Sequence, residues 1–110
     1  MNKILLVGRL VNDPELKIIS DEKVMARFIL AVERNYKEAN GDRKADFIPV
    51  AVWGKRAHVI KEYLSKGNLL TISGRLRTST YMDEAGIKKY KYEVIAEDFK
   101  LSDFTPKKEA

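Results

Sequence analysis

Acid–base and metal chemistry have little to work with in this chain. His58 is its only histidine, it has no cysteine, and carboxylates such as Asp13, Glu15 and Asp98 are scattered without an inferable convergent pair. These counts exclude disulfides, thiol catalysis, Cys-based zinc sites and multi-histidine metal sites. His58 falls inside an expected helix rather than at a strand end or glycine elbow, so it reads as a surface helix residue. No glycine-rich phosphate loop is present, and Gly74-Arg75-Leu76 is too short a signal to count as one. An enzyme reading has no residues to stand on, and neither a metal nor a cofactor is expected.

The residues that do form a pattern are aromatics and cations at alternate positions. From Asp46 to Trp53, alternation puts Ile48, Val50 and Val52 on one face and Phe47, Pro49, Ala51 and Trp53 on the other. The aliphatic set is the core face, so Phe47 and Trp53 point outward. An outward ring can stack on a nucleobase, or it can lie under the polar loop Asn35 to Lys44 as a satellite cluster; the pattern alone supports both. Between Leu69 and Tyr81, Leu70, Ile72, Gly74 and Leu76 share one parity, while Arg75, Arg77 and Tyr81 share the other. Cations on the same face as an aromatic favour phosphate contact by Arg75 and Arg77. More cations gather near rings: Arg34, Lys37, Arg43 and Lys44 around Tyr36, Lys55 and Arg56 after Trp53, and Lys88, Lys89 and Lys91 interleaved with Tyr90 and Tyr92. Basic patches interleaved with aromatics are the composition of a single-stranded nucleic-acid groove.

The elements that must position these residues are mostly strands. Period-2 or β-rich runs span Ile4 to Val11, Val24 to Val32, Asp46 to Trp53, Leu69 to Tyr81 and Tyr90 to Leu101, which makes five expected strands. One helix is expected over Lys55 to Lys66, with Ala57, Ile60 and Leu64 on its apolar face and Gly67 as its stop. Asn12-Asp13-Pro14, Asn40-Gly41-Asp42 and Asp83-Glu84-Ala85-Gly86 are turn signals, and Gly74 fits a bend or bulge where a strand wraps a barrel. The expected fold is therefore all-β with one helix. The order of elements is that of an OB-fold, a five-stranded Greek-key barrel, with the helix between the third and fourth strands. An SH3-like barrel is the nearest rival and usually lacks the inserted helix.

Length and charge agree with this reading. The chain has 110 residues, enough for one domain, assigned here to 1–101 with a short disordered end at 102–110. Its 21 Lys and Arg against 16 Asp and Glu leave a formal charge of +5, which permits a polyanion partner without demanding one. Its longest apolar runs are a few residues, as in Ile4 to Val7, far below the ~20 that cross a bilayer, and the start lacks a secretory apolar region. No membrane partner is expected, and a cytoplasmic, nucleoid-associated location is. The first strand is apolar at both parities, Ile4 and Leu6 against Leu5 and Val7. One side should face the core and the other a second copy of the chain.

Several ordered segments closely resemble the bacterial single-stranded DNA-binding proteins. They include Asn2-Lys3-Ile4-Leu5-Leu6-Val7-Gly8-Arg9-Leu10, Asp13-Pro14-Glu15-Leu16, Ala26-Arg27-Phe28, Asp46-Phe47-Ile48-Pro49-Val50, Val52-Trp53-Gly54-Lys55, Glu62-Tyr63-Leu64-Ser65-Lys66-Gly67 and Gly74-Arg75-Leu76-Arg77-Thr78. The resemblance runs to about Leu101. It implies an OB-fold domain, usually homotetrameric, that coats single-stranded DNA in replication, recombination and repair. It also implies four base-stacking places, matched here by Tyr36, Phe47, Trp53 and Tyr81, and basic positions on the DNA path matched by Lys3, Lys55, Lys66 and Arg77, more loosely by Lys17. Together with Arg34 and Arg75, read from their proximity to aromatics, these cations are the expected phosphate contacts.

The departure lies after Leu101, where many such proteins carry a long linker and an acidic tip that recruits other genome-maintenance proteins. Here Lys107 and Lys108 offset Asp103 and Glu109, so recruitment through such a tip is not expected. An OB adaptor of primosome type, bridging replication proteins, is the alternative from a different class. Retention of all four aromatic places argues against it. An OB-fold subunit of an enzyme or a tRNA-binding appendage is a weaker third reading, and affinity for an unstructured oligonucleotide separates the first reading from both.

Overall fold

The computed structural model describes residues 1–102. Its elements are β1 (Ile4–Leu10), β2 (Glu15–Ser20), β3 (Lys23–Glu33), β4 (Ala45–Trp53), α1 (Arg56–Tyr63), β5 (Leu69–Met82) and β6 (Lys88–Leu101). The sheet runs β1-β5-β6-β4-β3-β2, and a further β1–β3 pairing joins its ends. Five strands thus close a ring, β1-β5-β6-β4-β3, with α1 between β4 and β5, as the order of sequence signals leads one to expect. Closure covers the edge of β1 at Arg9 and Leu10 but not from Ile4 to Gly8, which β3 does not reach.

β2 is the element the sequence does not announce. It forms a hairpin with the first half of β3, from Glu15 opposite Arg27 to Ser20 opposite Lys23, and so sits outside the ring. Ile18 and Ile19 are consecutive and both exposed, so β2 carries no in-out alternation to read. The long strand β3 serves both roles along one edge: its first half pairs with β2, and Leu30 and Ala31 pair with Leu10 and Arg9 of β1.

The ring closes where β1 crosses β3, and Gly8 is there. A Cβ at Gly8 would run into the Ala31 carbonyl, so the close approach needs glycine. Gly74 has the same constraint against the Ile95 carbonyl, at the register shift between Ser73 and Gly74 where β5 bends around the barrel.

Inside the ring lie Leu10, Phe28, Leu30, Val50, Val52, Leu70, Ile72 and Val94, joined by Ala57, Ile60 and Leu64 from the helix segment. α1 packs against β2, β3 and β4. It stops three residues earlier than its apolar spacing suggests, because Leu64 is already extended and the next turn is built differently. Asn68, itself buried, accepts the Ser65 N–H on its side-chain oxygen at 2.8 Å and donates its own N–H to the Ser65 carbonyl at 3.1 Å. Gly67, at φ 92°, completes that turn.

Past Arg75 and Val94, β5 and β6 pair only with each other, up to Met82 opposite Lys88. From Thr78 and Tyr92 outward they form a two-stranded arm exposed on both faces. The aperiodic end expected over 102–110 lies, beyond Ser102, outside the described residues.

Candidate nucleic-acid interface

The outer wall of the barrel is assembled by strand register. Trp53 of β4 stands opposite Met25 of β3, which stands opposite Lys17 of β2. The next row on that face runs Glu15, Arg27, Ala51, Ile95 and Arg75 across all five strands from β2 to β5. Further along β5 and β6 come Arg77 opposite Glu93, Ser79 opposite Lys91 and Tyr81 opposite Lys89. Toward the other end of β4, Phe47 faces Ala31, whose second neighbour is Arg9. One continuous surface therefore carries Phe47, Trp53 and Tyr81 together with Lys17, Arg75 and Arg77.

The three rings on this wall are held differently. Phe47 is 65 % exposed, and Tyr81 is 53 % exposed on the arm. Trp53 is partly buried: it packs on Met25, Ala51 and Ile95, a small apolar cluster on the outside of the barrel. Its Nε1 is buried and lacks a hydrogen-bond partner, and the Arg77 guanidinium stands 5.8 Å from its ring centre. The two readings of these outward rings thus resolve separately. Phe47 is mostly exposed, and Trp53 is anchored at its base by neighbours on its own wall.

Tyr36 lies in the loop after β3, 57 % exposed. Its hydroxyl accepts from Arg34 Nη1 at 3.0 Å. Arg34 also donates to Asp46 from Nε and Nη2, and the loop neck is closed by the Arg34 N–H on the Lys44 carbonyl. The hydrogen bond that Arg34 donates to Asp46, then the one it donates to Tyr36, raises the Arg34 pKa above its already high ordinary value, so the guanidinium stays charged but engaged.

The remaining expected cations are less tightly grouped. Lys3 is exposed just ahead of β1, whose first residue, Ile4, pairs with Gly74 beside Arg75. Lys55 is exposed two residues after Trp53, at the start of α1. Lys66 is exposed in the turn after α1, with its backbone N–H on Asp13 Oδ1 at 2.8 Å, next to Gly67, whose carbonyl accepts from Arg9 Nη1 at 2.9 Å.

Sequence reasoning missed Glu93. It is the only described carboxylate that is buried, and it takes Arg77 at 2.7 Å and Arg27 at 3.5 Å. Nothing local marks it, since Tyr92-Glu93-Val94 reads as ordinary strand alternation.

A closed five-stranded barrel with one inserted helix and an outer wall of aromatics and cations defines the class of OB-fold nucleic-acid binders. Comparison with known proteins narrows the class. The single-strand binding protein family matches residues 1–102. The chain is 46 % identical to single-stranded DNA-binding protein 2 of Clostridium acetobutylicum over 92 % of its own length and 76 % of that protein. It is 48 % identical to single-stranded DNA-binding protein 1 of Streptococcus pyogenes serotype M6, over 91 % of the chain and 76 % of that protein. Single-stranded DNA-binding protein 1 of C. acetobutylicum is 44 % identical over 100 % of the chain and 99 % of its own length. The chain belongs to the single-strand binding protein family.

Proposed function

We propose that this chain binds and coats single-stranded DNA with little sequence preference, in replication, recombination and repair. Bases stack on Tyr36, Phe47, Trp53 and Tyr81, and phosphates meet Lys3, Lys17, Arg34, Lys55, Lys66, Arg75 and Arg77. The observation that carries this reading is the single outer wall shared by Phe47, Trp53, Tyr81, Lys17, Arg75 and Arg77. Rings accept any base on their faces, so stacking gives affinity without base identity, while phosphate contacts add a salt-dependent term.

The test uses the only tryptophan in the chain. Intrinsic Trp53 fluorescence should be quenched by poly-dT and much less by duplex DNA of equal nucleotide concentration. A single-stranded RNA arm measures discrimination at the sugar. Equal responses to duplex and single strand would overturn the stacking assignment.

The occupant of the exposed side of β1 is a second copy of this chain, in an assembly that the family resemblance makes a tetramer. Leu5 is 72 % and Val7 52 % exposed on that side. β1 meets β3 only at Arg9 and Leu10, so the edge from Ile4 to Gly8 has no strand partner on that side among the described residues. An apolar face beside an open edge suits strand pairing between copies.

A further inference from the structure

Glu93 belongs to none of the roles above, yet it sits at the centre of the wall. Its carboxylate joins two guanidiniums from different strands: Oε1 accepts from Arg77 of β5 at 2.7 Å, and Oε2 lies 3.5 Å from Arg27 of β3. Arg27 reaches Glu93 across β4, whose residue in its row is the small Ala51. Two guanidiniums converging on one anionic group is how proteins clamp a phosphate. The same Arg77 guanidinium stands over the Trp53 ring at 5.8 Å from its centre. A base stacks at about the thickness of a ring, so a base and a guanidinium cannot share that part of the indole.

We infer that Glu93 is a built-in surrogate for a backbone phosphate: in the free protein it holds Arg77 over Trp53, and an entering strand exchanges a phosphate for the carboxylate and a base for the guanidinium. This rests on the single-strand reading given above. No bond is made or broken; one ion pair replaces another while Arg27 keeps Glu93 neutralised. Glu93 is a positioning residue. It pre-arranges the cation and keeps the ring covered, and it lowers affinity by leaving one net positive charge at the cluster instead of two. Its burial makes the competition felt, because a carboxylate shielded from water is screened less by salt than an exposed one.

The test compares E93Q, R77Q and the double variant with the unsubstituted chain on a dT oligonucleotide. E93Q should bind roughly three- to tenfold tighter at low salt, a range set by releasing one partly shielded ion pair, and the gain should shrink as salt rises. In the R77Q background the same change should give no gain, since the residue through which Glu93 acts is gone. Acrylamide quenching of Trp53 in the free protein should rise in E93Q and in R77Q alike. A merely structural Glu93 would lower the melting temperature without tightening binding or depending on Arg77. Weaker or unchanged binding by a folded E93Q overturns the proposal while the single-strand reading stands; failure of the unsubstituted chain to bind dT overturns both. If E93Q does not fold, R77Q decides, because the Arg77 side chain is 44 % exposed and lies outside the barrel core: unchanged acrylamide quenching there shows that Arg77 does not cover the ring and overturns the proposal.

Discussion

Val52 and Trp53 are neighbours in β4, yet Val52 is 1 % exposed inside the ring while Trp53 lies on the outer wall against Met25, Ala51 and Ile95. One step along a strand reverses the direction of the side chain, so the pair separates binding from folding. Trp53→Ala should cost on the order of 1 to 3 kcal/mol in single-strand affinity. It should also lower the melting temperature modestly, because the indole anchors the small outer cluster. Val52→Ala should do the reverse, losing roughly 1 to 3 kcal/mol of stability through a cavity in the barrel and little affinity at temperatures well below the melt. Thermal melts and binding titrations on both variants check this; affinity lost by Trp53→Ala only in proportion to unfolding would make the ring structural and leave stacking to Tyr36, Phe47 and Tyr81.

Leu5 and Leu6 form a second such pair. Leu6 is half-buried against the barrel core and Leu5 is exposed beside Val7. Leu5→Glu should give a folded chain with weakened self-association, whereas Leu6→Glu should unfold or strongly destabilise it by placing a carboxylate against the core. Light scattering and melts on the two variants distinguish the effects. A monomer for the unsubstituted chain at micromolar concentration would remove β1 as an interface.

Parity made much of this legible before any coordinates. Alternation in Asp46 to Trp53 and in Leu69 to Tyr81 separates inner from outer positions at Val50, Val52, Phe47, Arg75 and Arg77, because successive side chains of a strand point to opposite faces of the sheet. It could not choose between Leu5 and Leu6, since both are apolar and only the ring's curvature decides which faces in. β2 was hidden because Ile18 and Ile19 lie outside the ring and need no alternation. Glu93 was hidden for a different reason: its burial depends on Arg27 and Arg77, which are 66 and 16 positions away in sequence and meet it only through register.

Gly8 marks the seam where β1 closes on β3, and a methyl group there has nowhere to go except into the Ala31 carbonyl. Backbone on backbone cannot relax by rotating a side chain, so Gly8→Ala must part the strands at Arg9–Ala31 and Leu10–Leu30. The expected cost is about 1 to 3 kcal/mol or more, read as a lower urea midpoint. Hydrogen exchange should show the loss first at the Val11 amide, which donates to the Ile29 carbonyl across that seam, and not at the Leu10 amide, which donates to Asn68. An unchanged midpoint would mean that the seam has slack the geometry does not indicate.

Arg75 and Arg34 carry the same charge but are held differently. Arg34 donates to Asp46 at 3.0 and 3.2 Å and to the Tyr36 hydroxyl at 3.0 Å, and that pairing raises its pKa further. Arg75 is exposed on the wall opposite Ile95, with no ion pair or hydrogen bond from its side chain among the described residues. A phosphate meeting Arg75 gains a cation that nothing else neutralises and releases the counterions of the strand. A phosphate meeting Arg34 must share it with Asp46. Arg75→Ala should therefore make the slope of log K against log salt shallower by about 0.7, the value for one phosphate contact on a single strand. Arg34→Ala should change that slope by clearly less. It should still weaken binding by an amount nearly independent of salt, because without its hydrogen bond Tyr36 is less firmly placed for stacking. Titrations with dT at four or five salt concentrations give both slopes. Equal shifts for the two variants would show that Asp46 releases Arg34 when the strand binds, and Arg34 would then rank with Arg75 as a direct phosphate ligand.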